Sequence, residues 1–376
     1  MNKSADSSPR QTQTGPTVLW WSHSGRDYSR DRIVRNAFES LGWTIRDYIP
    51  TFSPLGDLEA RLRKIAKPDL VWVPCFRQRD AAAAQRWALR HGVPIVLDPL
   101  ISAWDKQVFE HQKFSEDSRQ SRRLQRWEST LLQNSTAVIA DTRCHAEFFR
   151  DSLGVASEKI AVIPVSAEEE LFSIQPWPSP ESDKVFHVLF YGSFIGLQGP
   201  QYIAEAARQV PEAKWTFIGG GPLLDECKSI AEGLDQVEFI PRVPYSELAK
   251  WIGKADVLCG VFGTSAKAGR VIPNKVFQSL ACGRPVITRT ADAYPEALTK
   301  LPASESGLEW VSPGSASEIA HAVRLIRDCP KRCVSGGNAA RSTFERLFSN
   351  DMVAHALCSV LETTLSGNLT RRRHAA

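Results

Sequence analysis

The sequence lacks the long apolar runs of membrane proteins. No uninterrupted apolar stretch approaches the roughly 18 residues that a membrane span needs. The opening segment, residues 1–16, is rich in Ser, Thr, Gln and Pro and has no apolar core of the kind found in a secretory signal. We therefore expect residues 1–16 to form a disordered tail and the protein to be cytoplasmic.

The sequence also lacks strong charge and paired cysteines. Lys and Arg total 46 against 42 Asp and Glu, a net charge of +4 that is too small to indicate nucleic-acid binding. The 8 cysteines show no repeated spacing, which is typical of reduced thiols. Cys329 and Cys333 lie four positions apart, but no neighbouring residue completes a zinc set, and we predict no bound metal.

Short apolar segments alternate with segments of helical periodicity. In the first half, Thr17–Trp21 and Asp69–Val73 are predicted strands, and Ile33–Leu41 carries apolar residues at helical spacing. The same alternation restarts with strands at Phe186–Tyr191 and Lys214–Ile218. Because this pattern is typical of parallel strands covered by helices, the predicted fold class is α/β with two Rossmann-like domains facing across a cleft.

A proline-rich break separates the two halves. Three prolines fall within the five residues 176–180, which forbids regular helix or strand hydrogen bonding there. The predicted organisation is a first domain at 17–175, a linker at 176–184, a second domain at 185–345, and a closing helix with a basic tail at 346–376. Ligands of such folds bind where the carboxyl ends of the strands meet.

Two glycine-rich turns in the second half are candidate phosphate loops. Gly192-Ser193 follows a predicted strand and precedes a helix, where backbone amides can receive a phosphate. Gly219, Gly220 and Gly221 form a second turn that lets a ligand approach the main chain. Neither turn has the G-x-G-x-x-G spacing, which disfavours a nicotinamide dehydrogenase. A plain strand-to-helix turn remains an alternative for each loop.

The segment 269–288, GRVIPNKVFQSLACGRPVIT, is the most informative part of the chain. Pro273 ends a loop, Asn274 can begin a helix, and Gly283 ends it. With Arg270 and Lys275 beside the helix start, the amides and two cations form a predicted diphosphate site. Gln278 lies one turn further and can reach a sugar hydroxyl. In the alternative interpretation, both cations simply face solvent.

These residues resemble a known family. The elements FYGS…QG, IGGGP, Tyr245-Ser-Glu-Leu and IPNKVFQSLACGRPVIT are similar to the second domain of GT-B glycosyltransferases of family 4, and LDPLISAWD at 97–105 is similar to the first domain of a bacterial branch. The resemblance implies a nucleotide-sugar donor held by the second domain and an acceptor held by the first. It also implies retention of anomeric configuration, a metal-free diphosphate site and no cofactor beyond the sugar nucleotide.

The sequence departs from the family pattern at the donor site. The Arg and Lys of the first loop align with Ser193 and Gln198, and the usual glutamate pair aligns with Arg270 and Gln278. We predict that Arg270 and Lys275 replace the missing cations, and that the leaving diphosphate takes the acceptor proton. Main-chain groups near Arg242 and Val243 are predicted to contact the base. The alternative is a degenerate, non-catalytic homologue that binds a nucleotide or a partner.

Acceptor-side candidates are fewer. His23 and Arg26 follow the first strand, and Asp98 and Asp105 flank a loop after another strand; we assign these four to the acceptor side, with His23 and Asp105 as catalytic candidates. Each also has a structural interpretation as a surface residue or helix cap. The acceptor class, whether glycan, lipid-linked or small molecule, stays open, although polysaccharide biosynthesis fits the family.

Basic residues recur through 109–132 with Phe114, Leu124 and Trp127 between them. A basic amphipathic helix is typical of peripheral contact with an anionic membrane, here at the inner face, and a solvated helix gives the same pattern. Both interpretations stay open.

Overall fold

The computed structural model describes residues 15–23, 28–111, 113–177 and 185–374, with side chains up to residue 366. In this part of the chain, all strands belong to two parallel sheets with six strands each. The strands are β1 Thr17–Trp21, β2 Thr44–Tyr48, β3 Leu70–Val73, β4 Ile95–Leu97, β5 Ala137–Ala140, β6 Ile160–Val162, β7 His187–Ser193, β8 Lys214–Gly220, β9 Val237–Ile240, β10 Val257–Cys259, β11 Val286–Arg289 and β12 Leu308–Val311.

Helices connect the strands and cover both faces of each sheet. The α-helices are α1 Ser29–Ser40, α2 Gly56–Leu62, α3 Gln78–His91, α4 Ala103–Asp105, α5 Arg119–Gln133, α6 Arg143–Leu153, α7 Pro200–Gln209, α8 Leu224–Ile230, α9 Leu248–Lys254, α10 Asn274–Ala281, α11 Glu296–Thr299, α12 Ala303–Ser306, α13 Ala316–Arg327, α14 Pro330–Leu347 and α15 Asn350–His374. A π-helical turn, Lys106–Glu110, continues α4, and 3₁₀ turns span Ser53–Leu55, Ser157–Lys159, Tyr245–Glu247 and Lys267–Gly269.

The strand orders are those of doubly wound sheets. The first sheet has the order β2-β1-β3-β4-β5-β6 and the second the order β12-β11-β10-β7-β8-β9. Central strands such as β3 are buried along their whole length, as parallel strands covered on both faces require. The predicted α/β class with two Rossmann-like domains is confirmed. Below, the first domain denotes the part built on β1–β6 and the second domain the part built on β7–β12.

The last helix returns to the first domain. Val353, Leu357, Val360 and Leu361 of α15 are buried in one cluster with Val18, Trp20, Ile33 and Phe38. The chain therefore crosses between the domains twice, once before β7 and once before α15. No helix in the described part of the chain is long and apolar enough to cross a membrane.

The start of the first crossing is anchored by a buried arginine. The guanidinium of Arg284, fully buried after α10, donates to the carbonyl oxygens of Gln175 at 3.0 Å and Pro176 at 2.6 Å. The rest of the predicted linker, 178–184, lies outside the described residues.

Candidate active site

A cleft of about 530 Å³ lies between the two domains at the carboxyl ends of both sheets. Its first-domain side consists of residues that follow β4, β5 and β6, together with Tyr28 before α1. Its second-domain side consists of the ends of β7 and β8, the turn after β9, and the start of α10. Lining residues from the predicted donor set are Gly192, Ser193, Gly219, Arg242, Val243, Asn274, Lys275 and Gln278.

Lys275 places a buried amine at the cleft. Its side chain is only 5% exposed, and its Nζ donates to Gln198 Oε1 at 2.7 Å. The ammonium also lies 3.9 Å from the centre of the Phe190 ring. Burial lowers the pKa of Lys275 from 10.5 to about 7, because the charged form loses its hydration. An anion bound in the cleft would restore the charge.

Gly192 makes room for this amine. Its φ of +148° lies in the region that favours glycine. A Cβ at this position would lie 2.5 Å from Gln198 Oε1 and 3.0 Å from Lys275 Nζ. The glycine at the end of β7 is therefore required by the contact between Lys275 and Gln198.

Gln278 belongs to a buried hydrogen-bond chain. Its Oε1 accepts from the hydroxyl of Tyr191 at 2.7 Å, and its Nε2 donates to the hydroxyl of Tyr245 at 3.0 Å. Tyr245 in turn donates to Glu168 Oε2 at 2.5 Å, and Glu168 pairs with Arg32 of the first domain. Burial raises the pKa of both tyrosines, so each keeps its proton. The amide of Gln278 is fixed from both sides.

Arg270 points away from the cleft. Its Nη2 lies 2.5 Å from Asp105 Oδ1, and its guanidinium lies 4.7 Å from the centre of the Phe148 ring. Asp105 and Phe148 both belong to the first domain. Nearby, Lys267 of the second domain pairs with Glu110 of the first. These two ion pairs form an interdomain contact. The Arg270 side chain therefore does not lie at the predicted diphosphate site, because it forms an ion pair with the buried Asp105.

The acceptor-side candidates are not brought together. Asp105 is fully buried under Arg270, and Asp98 is 2% exposed and pairs with Arg30 at 3.0 Å. His23 is exposed, and its Nδ1 lies 2.8 Å from the Pro50 carbonyl oxygen. None of these three side chains lines the described cleft. Their positions differ from the prediction because ion pairing and a backbone contact hold them elsewhere.

Two other predicted residues that the structure describes, Gly220 and Gly221, do not line the cleft. Gly220 and Gly221 follow the lining residue Gly219, and a Cβ on Gly221 would meet the backbone of Phe194 at 2.8 Å. Gly221 therefore serves packing of the turn. Arg26 falls within 24–27, outside the described residues.

Sequence reasoning assigned no site role to three side chains that the structure places at the cleft, although Tyr245 belongs to one of the motifs that resemble the family. Asp141 follows β5, Tyr28 precedes α1, and Tyr245 begins the turn before α9. Asn274 Nδ2 lies 3.4 Å from the Tyr28 hydroxyl, a contact between the domains. Asp141 carried a signal in the sequence, its position directly after a buried strand.

Backbone strain also occurs beside the cleft. Leu100, which lines it, has a φ of +61°, and Phe76 after β3 has the same value. Non-glycine residues seldom adopt this conformation, and such strain gathers at functional sites. The strained residues mark the ends of β3 and β4 as constrained parts of the first domain.

Two glycosyltransferase domain models match successive parts of the chain. The model described as "Glycosyl transferase 4-like domain" matches residues 17–166, and the model described as "Glycosyl transferases group 1" matches residues 185–328. Together the two matches cover most of the described chain and follow its division into two sheets. The fold and the matches define a two-domain glycosyltransferase of the GT-B type.

The comparisons with individual proteins agree with this class. A D-inositol 3-phosphate glycosyltransferase from Pseudarthrobacter chlorophenolicus is 25% identical over 242 residues, which are 60% of this chain and 56% of that protein. The match thus spans little more than half of the relative's length. This chain therefore has a glycosyltransferase domain match in each half, a GT4-like model in the first domain and a group 1 model in the second.

Solved structures show the same fold. HepE from Anabaena in complex with UDP-glucose superposes with a TM-score of 0.70 at 15% identity, over 93% of this chain and 100% of that one. Sucrose-phosphate synthase from Thermosynechococcus elongatus superposes with a TM-score of 0.69 at 18% identity, over 96% and 99%. The predicted GT-B fold is confirmed.

Proposed function

We propose that this chain transfers a hexosyl or related sugar from a nucleoside diphosphate sugar to an acceptor hydroxyl, with retention of configuration and without a metal at the diphosphate. The observation that carries the proposal is Lys275 at the start of α10. Its Nζ contacts Gln198, the residue aligned with the loop lysine of the family. The cation missing from the loop is thus supplied from the helix.

Charge balance in the cleft supports a diphosphate as the ligand. Lys275 and Arg242 are both on the second-domain side, and the lining residues Pro273 and Asn274 place the first amides of α10 there too. Unpaired amides and cations together favour an anion. A uridine nucleotide is the first donor to test, since HepE was solved with UDP-glucose.

The proposed reaction is a front-face displacement. The acceptor oxygen bonds to the anomeric carbon while the bond from that carbon to the diphosphate oxygen breaks. The acceptor proton passes to the leaving diphosphate, and Lys275 with the helix amides stabilises the charge that develops on it. The protein contributes position and electrostatics, and no enzyme nucleophile is required.

A binding screen followed by a turnover assay tests the proposal. UDP, GDP, ADP and their glucose conjugates are added to the purified chain, and a ligand that binds the native state raises the melting temperature. We expect a selective shift with one nucleotide, its loss in Lys275→Met, and slow release of that nucleotide from its sugar conjugate. Lys300→Met, at an exposed lysine paired with Glu296, is the matched control.

The opposite result favours the alternative function. A protein that melts cooperatively, yet shifts with none of these nucleotides, would be a non-catalytic homologue that binds another partner. Proton NMR of the first product, made from a donor of known anomeric configuration, tests retention.

We also propose peripheral contact with an anionic membrane through α5. Four arginines of this helix border one surface groove: Arg119, Arg122, Arg123 and Arg126. Such a cluster favours anionic headgroups. Co-sedimentation with phosphatidylserine vesicles should fall sharply when all four become Gln, and unchanged sedimentation would contradict the contact.

A further inference from the structure

Asp141 gives the first-domain side of the cleft its charge. It follows β5, and its residue is 7% exposed. The other described lining residues of that domain, Tyr28, Leu100, Ile101 and Val165, are uncharged. Among all described lining residues, no other side chain is a carboxylate, and the cations Arg242 and Lys275 belong to the second domain. The acceptor half of the cleft is therefore acidic, opposite a basic donor half.

The carboxylate of Asp141 is held in place by a hydrogen bond to a histidine of α6. One oxygen, Oδ1, forms a hydrogen bond with Nδ1 of His145, which is fully buried in the first turn of α6. The backbone N–H of His145 donates to Thr142 Oγ1 at 3.1 Å, so the start of the helix is capped. Among the described residues, only His145 forms a hydrogen bond to Asp141. The second oxygen is left for a ligand in the cleft.

Contacts with the second domain fix the position of this carboxylate relative to the donor side. The hydroxyl of Thr142, the next residue, donates to the Arg270 carbonyl oxygen at 2.8 Å. The side chain of Arg270 pairs with Asp105, whose Oδ2 lies 4.0 Å from His145 Nε2. Both contacts involve Arg270, which lies five residues before Lys275 in the sequence. Asp141 and Lys275 are thereby held on opposite sides of one cleft.

We propose that Asp141 accepts a hydrogen bond from an acceptor hydroxyl, and that the acceptor end entering the cleft is an uncharged sugar or polyol. This inference rests on the proposed function and specifies the acceptor class. A carboxylate accepts strong hydrogen bonds from hydroxyls and repels a phosphate or carboxylate in the same place. No described cation on the first-domain side of the lining offsets that repulsion.

The test compares matched neutral and phosphorylated ligands. Saturation-transfer NMR in the presence of UDP measures binding of glucose against glucose 6-phosphate, and of myo-inositol against inositol 3-phosphate. The methyl glycosides of galactose and N-acetylglucosamine extend the neutral set. We expect at least one neutral ligand to bind, and its phosphorylated counterpart, tested in the same way, to bind at least tenfold more weakly.

Variants connect this selectivity to the carboxylate. Asp141→Asn keeps the size and an oxygen for His145, and should weaken the neutral ligand by roughly tenfold, as loss of a charged hydrogen bond does. The same substitution should also reduce the ratio between the affinities for a neutral ligand and for its phosphorylated counterpart. The affinity for UDP should not change. Asp151→Asn, at an exposed aspartate of α6 paired with Arg150, is the matched control.

Three outcomes would overturn the inference: a preference for the phosphorylated ligands, equal behaviour of Asp141→Asn and wild type, or no binding by any neutral ligand while UDP binds. Failure of the wild type to bind any nucleoside diphosphate would instead contradict the proposed function. The two failures are therefore distinguishable.

Discussion

Replacing Lys275 by Met should stabilise the ligand-free protein and abolish donor binding. The amine has an ordinary pKa of 10.5 and a pKa of about 7 in the folded chain, because burial removes its hydration. At about 1.4 kcal/mol for each factor of ten in protonation, these values correspond to roughly 5 kcal/mol. Met fills similar space and loses the hydrogen bond to Gln198, which is worth about 1 kcal/mol. A net gain of about 4 kcal/mol at pH 7 is expected.

The sign of the pH dependence follows from the same two pKa values. Between pH 7 and 10.5 the unfolded chain holds the Lys275 proton and the folded chain has lost it. Because the unfolded state binds more protons there, the wild type gains stability as pH rises through this window, and the cost of burial is full below pH 7. Urea denaturation at pH 6.5, 8.0 and 9.5 should show the advantage of Lys275→Met shrinking as pH rises.

Donor binding should reverse this effect. A diphosphate beside Lys275 favours the ammonium, so UDP binding at pH 8 is expected to take up close to one proton. Calorimetry in two buffers of different ionisation enthalpy measures that uptake. A stability difference that does not vary with pH, or UDP binding without proton uptake, would refute the reasoning.

Three further substitutions test the geometry. Gly192→Ala should weaken UDP binding at least tenfold by calorimetry because its Cβ would collide with the Lys275 contact, whereas Gly196→Ala, with nothing within 4 Å, should not. Tyr245→Phe should lower the free energy of unfolding, measured in urea, by about 1 to 3 kcal/mol, since it leaves Gln278 Nε2 and Glu168 Oε2 without this partner. An unchanged midpoint of urea denaturation would contradict the role of this hydrogen-bond chain in stability. Asp105→Ala should lower the free energy of unfolding by about 3 kcal/mol, because the Arg270 guanidinium loses its ion-pair partner. Small-angle scattering should show a larger radius of gyration for this variant. An unchanged radius would argue against the role of the ion pair in holding the domains together.

The fold was predictable because its signals are local. Buried strands such as β3 and β8 are short apolar runs, and each is followed by a turn and a helical pattern within about 20 residues. The segment around Lys275 was equally readable, since Pro273 and Gly283 mark the ends of its helix. For the second domain, local spacing therefore indicated loops that the structure places at the cleft.

Side-chain direction was not predictable in the same way. Arg270 lies five residues before Lys275, yet its guanidinium turns to Asp105, which is 165 positions away in the chain. The role of Asp141 likewise depends on which other residues line the cleft. A lone aspartate after a strand has no spacing that separates a ligand contact from a helix cap. The direction of the Arg270 side chain and the surroundings of Asp141 both depend on contacts between the two domains, which local sequence does not show.

The return of α15 to the first domain has a consequence for biosynthesis. The apolar face of α1 and β1 is covered by Val353, Leu357 and Leu361, which are synthesised after the entire second domain. A chain emerging from the ribosome therefore completes its second core before its first, although domains usually fold in the order of synthesis. Until the last helix arrives, part of the first core stays uncovered. Truncation before residue 350 should yield an insoluble first domain.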